Sequence, residues 1–376
     1  MTDVAIIGAG PVGLMMGLLL LQRGRSVRIL ERRTSRSGLT RAIGVHPPAL
    51  KILDRAGIAP ALIAEGVRIG KGIAYSRGRK VAELAFDGDH DFPFILAVPQ
   101  PVTEQALESA VLALDPSAIV RGAVVDAVDD DGGSVSLAFG SPSGRDCLRA
   151  RLAIAADGAH SVFRERLLPE LCARTYPDSY LMGDFEDTTT HPSDAVLFLE
   201  PEGIVESFPL PGGVRRWVVR LAAPAVNPTA DGLAGLVRAR TGEVPDASTN
   251  TMLSAFEVQS RLAGRMIHGR TVLLGDAAHE ISPIGGQGMN LGWLDAAALA
   301  PIIDASLAGA GVGKQLKDYE RNRLRAASRA SKQAGLNMAL GRPLPPAAMT
   351  LRNSVFAGLL QSKVVAHTVE RRFTMR

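Results

Sequence analysis

Val4-Ala5-Ile6-Ile7-Gly8-Ala9-Gly10-Pro11-Val12-Gly13 is the stretch that decides how this chain folds. Four apolar residues, typical of a buried parallel strand, run straight into a glycine-spaced turn. Leu14 to Gln22 then reads as a buried helix ending at Gly24. Beyond it, Ser26 to Leu30 alternates into a second strand that stops at Glu31 and is followed by Arg32. Strand, glycine turn, helix and strand in this order make the βαβ unit that holds a dinucleotide. Gly8 permits the tight turn, Gly10 lets the backbone approach a pyrophosphate, and Gly13 packs helix on strand. At Pro11 and Val12 the helix start offers backbone N–H groups and a positive dipole end to negative phosphates. Glu31 lies 18 residues after Gly13, close to the spacing expected of a carboxylate that takes ribose hydroxyls.

Two further stretches have the same character. Thr271 to Leu274 reads as a strand that ends in Gly275-Asp276-Ala277-Ala278-His279. Pro283-Ile284-Gly285-Gly286-Gln287-Gly288-Met289-Asn290 then forms a glycine-rich loop before an apolar helix from Leu291 to Ile303. Asp276 at a strand's carboxyl edge can accept hydrogen bonds from a sugar-like chain, and the amides of Gly288 and Met289 can face developing negative charge. Between the anchors, Ala153 to Ala156 is a strand that stops at Asp157-Gly158, with Arg164 shortly after.

Composition narrows the function classes. At roughly 100 to 200 residues per domain, 376 residues allow two or three domains. With 46% hydrophobic and 21% charged residues the chain is globular rather than disordered. Thirty-five of its 42 basic residues are arginine, yet the net charge is only +4, too small and too scattered a surplus for nucleic acid. Cys147 and Cys172 make neither a disulfide framework nor a thiolate metal cluster, read as ordinary small apolar residues and suit a reducing cytoplasm. The early apolar run Val12 to Leu21 is broken by Gly13 and Gly17 and is about half the length of a bilayer span, so no integral membrane segment is expected. Gly309 to Lys314 fails as a P-loop because Ala308 and Gln315 stand where Gly and Ser or Thr are required.

In this order, the three anchors resemble the single-component class A flavoprotein monooxygenases, the aromatic hydroxylases of the p-hydroxybenzoate hydroxylase type. The resemblance runs to about residue 330. It implies an α/β fold: a Rossmann-like FAD-binding domain with an inserted β-sheet substrate domain and a C-terminal helical segment, in a short form without a thioredoxin-like end. By the same resemblance Gly8, Gly10, Pro11, Val12, Gly13, Glu31 and Arg32 hold the ADP half of FAD. Asp157 and Gly158 lie near its pyrophosphate and are implicated in NAD(P)H binding, and Gly275 and Asp276 hold the ribityl chain. Pro283 and the loop Gly285 to Asn290, with Gly286, Gly288, Met289 and Asn290, flank the isoalloxazine. Arg41, Gln100 and Arg164 are further FAD contacts. A second dinucleotide fingerprint is missing, as expected where NADPH or NADH binds transiently.

The implied reaction uses NAD(P)H and O2 to form a C4a-hydroperoxyflavin and to hydroxylate a phenolic or fused-ring aromatic. Such chemistry needs positioning and water exclusion rather than a triad or a metal. Pro283, Gly288 and Met289 are placed at the reacting ring, and His46 is the first candidate, with His279 the second, for a base or hydrogen-bond acceptor toward a phenol. His279 is expected to be structural. A flavin reductase or halogenase on the same fold, or a non-catalytic dinucleotide-binding protein, are the competing readings. The halogenase is disfavoured because Trp217 and Trp293 are isolated.

Residues 1–66, 98–173 and 262–334 are assigned to a discontinuous FAD-binding domain, 67–97 and 174–261 to the substrate domain, and 335–376 to the helical segment. Strands from Ile69 to Phe86, Phe92 to Val98 and Ser179 to Ala222 are expected to pair into one sheet over the flavin. Its Met182, Phe185, Phe198, Phe208 and Trp217 are pocket candidates. Pro224 to Arg261 reads as turns and one helix, and Met349 to about Arg372 as a last helix. A cytoplasmic monomer or homodimer is expected.

Overall fold

The computed structural model describes residues 1–36, 38, 42–89, 91–142 and 144–376. Strand Thr2–Ile7 is fully buried from Val4 on, and it pairs in parallel with Val27–Glu31 on one side and with Gly144–Ala155 on the other. Ile119–Arg121 and Thr271–Leu273 extend the parallel sheet at either end. Register then does something that no single motif states. Ile7 lies opposite Ala155, and Ala155 lies opposite Leu273. The three glycine or aspartate anchors therefore leave the sheet side by side along one carboxyl edge.

Helix Pro11–Leu21 carries Leu14, Met15, Met16, Leu18 and Leu20 without exposure, because it is sandwiched between the sheet and the helices Gln100–Leu114 and Gly288–Leu307. Burial on all sides explains a sequence without a polar or charged side chain, and each such large apolar side chain contributes about 1.5–3 kcal/mol. Trp293, on the third of these helices, donates its indole N–H to the Pro11 carbonyl at 2.9 Å and so ties the late anchor to the first.

An eight-stranded second sheet runs in the order His279–Glu280, Met252–Leu262, Arg174–Glu186, Val214–Leu221, Val205–Leu210, Ala195–Phe198, Lys71–Ser76 and Arg79–Ala85. Segments far apart in sequence meet where Ala195–Phe198 pairs in parallel with Lys71–Ser76.

Four expectations are corrected. Phe92 to Val98 does not enter this sheet: its strand Ile95–Ala97 joins Gly44–Val45 and Val67–Ile69 in a separate three-stranded sheet. Its residues from Phe94 to Val98 are all buried, which suits a strand covered on both faces rather than one that alternates. Met252–Leu262, expected as turns, is a strand paired with Arg174–Glu186. Its Met, Ser, Phe and Val positions alternate with Leu, Ala, Glu and Gln, a half-buried pattern weakened by the serines. The single last helix is two, Pro346–Gln361 and Lys363–Phe373, broken at Ser362, where ψ is 116°. Phe373 stacks on Phe86 at 5.6 Å and seats this end on strand Arg79–Ala85. The cysteines, read as apolar filling, are exposed.

Candidate functional site

At the first anchor Gly8 has φ +103°, and a Cβ there would lie 2.4 Å from the Ala156 carbonyl oxygen. Only glycine lets the two neighbouring strand ends approach this closely. Gly10, by contrast, has nothing within 4 Å of a built Cβ, and no side chain caps the helix that starts beside it. Glu31 is buried; its Oε2 accepts the Ala9 N–H at 2.7 Å and its Oε1 accepts the Arg33 N–H at 2.9 Å. Pinned in this way, the carboxylate still has lone pairs for two hydroxyls. Arg32 beside it is exposed.

Asp157 follows the central strand. Its Oδ2 accepts the Val162 N–H at 3.0 Å, whereas its Oδ1 is buried with no partner, and burial raises the carboxyl above the usual range. Ser161 caps the helix Val162–Leu167 by accepting the Arg164 N–H at 3.0 Å. The Arg164 guanidinium is buried and donates to the carbonyls of Asp276, at 3.0 Å, and Ala159. It clamps the second anchor to the third. At the third, Gly275 has φ +62° and sits against Val12, which also touches Gly292 of the following helix. Asp276 is half-buried with its carboxyl pushed up by burial, and its Oδ1 is 3.7 Å from where a Cβ on Gly288 would stand.

Pro283 is exposed at the head of the glycine loop and accepts the Gly286 N–H at 2.9 Å, while Ile284 is buried beneath it. Gly288 and Met289 open the helix Gly288–Leu307, whose first turn has no side-chain cap. Asn290 is fully buried and stitches this loop to a distant one: its Nδ2 donates to the carbonyls of Gly44 at 2.9 Å and Gly286 at 2.7 Å, and its Oδ1 accepts the His46 N–H at 2.9 Å. His46 thus stands against the glycine loop, its Nε2 3.6 Å from a Cβ position on Gly286 and its Nδ1 buried without a partner. Burial depresses its pKa to about 4, against a smaller opposing pull from the Gly285 backbone. The ring is therefore neutral near pH 7, and so weak a base is a poor match for a phenol proton; it offers a hydrogen bond.

His279 is also buried, but it donates to Asp295, which also accepts from Arg323. Burial pushes its pKa down, and the Asp295 charge and hydrogen bond more than reverse this, so it is raised. That chain joins a strand end to the helices Gly288–Leu307 and Gly313–Leu340. Gln100 accepts the Ala42 N–H at 3.4 Å and donates to Glu104. Arg41 lies outside the described residues.

The covering sheet divides its pocket candidates between two faces. Phe185, Phe198 and Trp217 pack with Leu233 and Val237 of helix Ala230–Thr241, on the far side. Met182 and Phe208 share the opposite face with Tyr180, Val218, Ile284 of the glycine loop and Met338. Sequence reading missed the polar residues on that near face: Tyr180, Glu206, the ion pair Asp184–Arg216 with oxygens and nitrogens at 2.7 Å, and Asp178 held by Arg220 and Arg342. The available signal was their parity with Met182 and Phe208 along alternating strands.

FAD fits these residues. Along one edge stand a pinned carboxylate, an uncapped helix start with open space at Gly10, an orphaned buried oxygen on Asp157, the carboxyl of Asp276 and a second uncapped helix start at Gly288.

Comparison with known proteins agrees. The family described as FAD binding domain matches residues 1–334. A rifampicin monooxygenase of Streptomyces venezuelae is 31% identical over 86% of this chain and 68% of its own. The 12-dehydrotetracycline 5-monooxygenase/anhydrotetracycline 6-monooxygenase of Streptomyces rimosus is 30% identical over 85% and 66%. This chain spans about two thirds of the length of these curated relatives. Among solved structures, an anhydrotetracycline hydroxylase from Streptomyces rimosus superposes with TM-score 0.81 at 27% identity over 100% of this chain and 76% of that one. A p-nitrophenol 4-monooxygenase from Pseudomonas putida shares the fold, with TM-score 0.89 at 24% identity over 100% and 98%. No helix among the described residues is long and apolar enough to cross a membrane.

Proposed function

Since the chain belongs to the FAD binding domain family, we propose that it is an FAD-dependent monooxygenase that takes electrons from NADPH or NADH and hydroxylates an aromatic substrate with O2. One oxygen atom enters a ring C–H bond as hydroxyl and the other leaves as water, with NAD(P)H giving the two electrons. The observation that carries this reading is the alignment of Ile7, Ala155 and Leu273, which sets the three anchors along one carboxyl edge. Bound there, FAD supplies the electron relay between nicotinamide and O2.

The chain's own residues bind and orient. Glu31, with Arg32, serves the ribose end, and Gly8, Gly10, Pro11, Val12 and Gly13 leave N–H groups to the phosphates. Asp157 and Gly158 stand beside them, Arg164 fixes that turn to the backbone of Asp276, and the Asp276 carboxyl takes the sugar alcohol. The uncapped amides of Gly288 and Met289 face negative charge on the ring's edge, with Pro283, Gly286 and Asn290 shaping its contact. His46, neutral and held through Asn290, positions rather than deprotonates. Gln100 and Arg41 complete the assignment. Names among the relatives, including a probable NADH-specific resorcinol 4-hydroxylase of Rhodococcus jostii, support the aromatic class. A cytoplasmic location fits this chemistry.

The test is direct. Purified protein should keep FAD through gel filtration, and an aromatic substrate should speed NAD(P)H oxidation while labelled oxygen from O2 enters the product. Colourless protein, or turnover that persists unchanged without O2, refutes the reading.

A further inference from the structure

We propose that Glu206, with Tyr180, is the polar floor of the aromatic pocket and selects hydroxylated rings over aromatic carboxylates, an assignment that rests on the hydroxylase reading above. Strand register builds the floor. Ala74, Leu197, Glu206, Val218, Met182 and Ser254 are successive cross-strand partners, so they form one row across six strands. Glu206 is the single charged member. Directly opposed residues share a face, and Leu197, Val218 and Met182 belong to the cluster that includes Ile284 of the glycine loop. Glu206 therefore faces the loop that the proposed function puts beside the flavin ring. In the next row stand Arg220, Tyr180 and Phe256.

Neither polar group has a hydrogen bond to another described residue. Tyr180 is 1% exposed and its hydroxyl is buried without a hydrogen bond. Glu206 is 8% exposed, and no donor among the described residues reaches it. Burial alone raises its carboxyl to about 7. Burial also raises the Tyr180 phenol, helped by the charges of Glu206 and Asp178.

Buried polar groups in native proteins are almost always hydrogen-bonded, and an orphaned Tyr180 hydroxyl on the same apolar face as the desolvated Glu206 carboxyl calls for a ligand that completes both. A ring hydroxyl does so: it can donate to Glu206 when that is ionised, accept from it when it is protonated, and meet the Tyr180 hydroxyl in either case. A ring carboxylate cannot. The neighbouring cations are already engaged, Arg216 with Asp184 at 2.7 Å, and Arg220 and Arg342 with Asp178 at 3.0 and 2.7 Å. A second carboxylate would meet a desolvated acid, and would have to compete with Asp184 and Asp178 for guanidiniums that already donate to them.

The experiment titrates a naphthalenediol and the matching hydroxynaphthoate into FAD-loaded protein by calorimetry at about pH 7.5, near the raised carboxyl value. The wild type should bind the diol at least about tenfold tighter. Glu206→Gln should shrink that preference to below about threefold, mainly by strengthening the naphthoate. Tyr180→Phe should weaken the diol by about fivefold. An unchanged ratio in Glu206→Gln, an unaltered diol affinity in Tyr180→Phe, a wild type that favours the naphthoate, or no binding of either probe up to its solubility overturns the proposal. Flavin absorbance of each preparation separates the two readings. Colourless wild type strikes at the hydroxylase itself, whereas yellow, turnover-competent protein with an unchanged ratio strikes only at Glu206.

Discussion

Along the carboxyl edge of the parallel sheet, Gly8, Gly10 and Gly275 carry no side chain where the chain turns, and two of the charged side chains there are tied back to the protein, Glu31 to Ala9 and Arg164 to Asp276. The near face of the covering sheet is built the other way, from side chains: Tyr180, Asp184, Glu206, Arg216 and Arg220 project from regularly paired strands, and Asp178 from the irregular stretch just before Ser179. A backbone cradle depends on what a position lacks, so adding one carbon can destroy it. A side-chain floor depends on charge balance, so an isosteric change is enough to alter it. Substitutions in each region should therefore fail in different ways.

The largest effect is expected at Gly8. Alanine would need φ near +103° and a Cβ 2.4 Å from a backbone oxygen, and neither strand end can yield without opening the sheet. Gly8→Ala should cost about 4 kcal/mol or more, read as a lowered urea midpoint of the apoprotein. A midpoint within error of wild type would break the idea that the first anchor is built by exclusion.

On the covering sheet the strongest effect should come from the buried ion pair. Asp184→Ala removes the carboxylate that holds the Arg216 Nε and Nη2 at 2.7 Å, at a cost of about 3–5 kcal/mol. The flavin content of whatever folds should be unaffected, because the residue lies on the other sheet. Loss of FAD at unchanged stability would erase the distinction between the regions.

The sign of the pH dependence should separate the regions next. His46, whose pKa in the folded protein is lowered to about 4 from 6.5, stays neutral while the unfolded chain takes up a proton. Its contribution is present above pH 6.5 and is lost as pH falls toward 4, up to roughly 3 kcal/mol. Glu206 runs in the opposite direction. Raised to about 7 from 4.5, it contributes stability below pH 4.5 that is lost as pH rises through 7, by a similar roughly 3 kcal/mol. Glu206→Gln should remove a fall in stability between about pH 4.5 and 7, and His46→Gln should remove a rise between about pH 4 and 6.5, so the two variants change the profile with opposite sign. Chemical denaturation at a series of pH values checks both.

The same contrast explains what could be read in advance. The first anchor is local: strand, turn, helix and terminal acid lie within Val4 to Glu31, and each residue type has a backbone reason to be there. Parity along the covering strands is equally visible, since Met182 and Phe185 cannot share a face. Which parity looks toward the glycine loop is not visible, because helix Ala230–Thr241 decides it by covering Phe185, Phe198 and Trp217. Glu206 was hidden for the same reason. An acid among Val205, Ser207 and Phe208 has the look of an exposed position until the far side proves to be occupied. The Asn290 link reaches His46 and Gly44, 244 and 246 positions away, and follows no local rule.

The smallest expected change in stability tests the cradle most sharply. Gly10 sits at φ −76° and ψ 178°, a conformation open to any residue, and a Cβ there meets nothing within 4 Å. Two modest effects oppose each other in Gly10→Ala. Alanine caps a helix less well than glycine, at a cost of about 0.5–1 kcal/mol, while a stiffer unfolded chain returns about 0.4–1 kcal/mol. The apoprotein should therefore melt within about 0.5 kcal/mol of wild type. Retention of FAD should nevertheless fall sharply, since the added methyl occupies the space through which a pyrophosphate reaches the uncapped N–H groups of Pro11–Leu21. Gly8 and Gly10 are two residues apart, yet the first should fail in the fold and the second only in the ligand. If Gly10→Ala holds flavin as tightly as wild type, the open space at that turn is not where the phosphates lie, and the backbone-built half of the comparison loses its ligand.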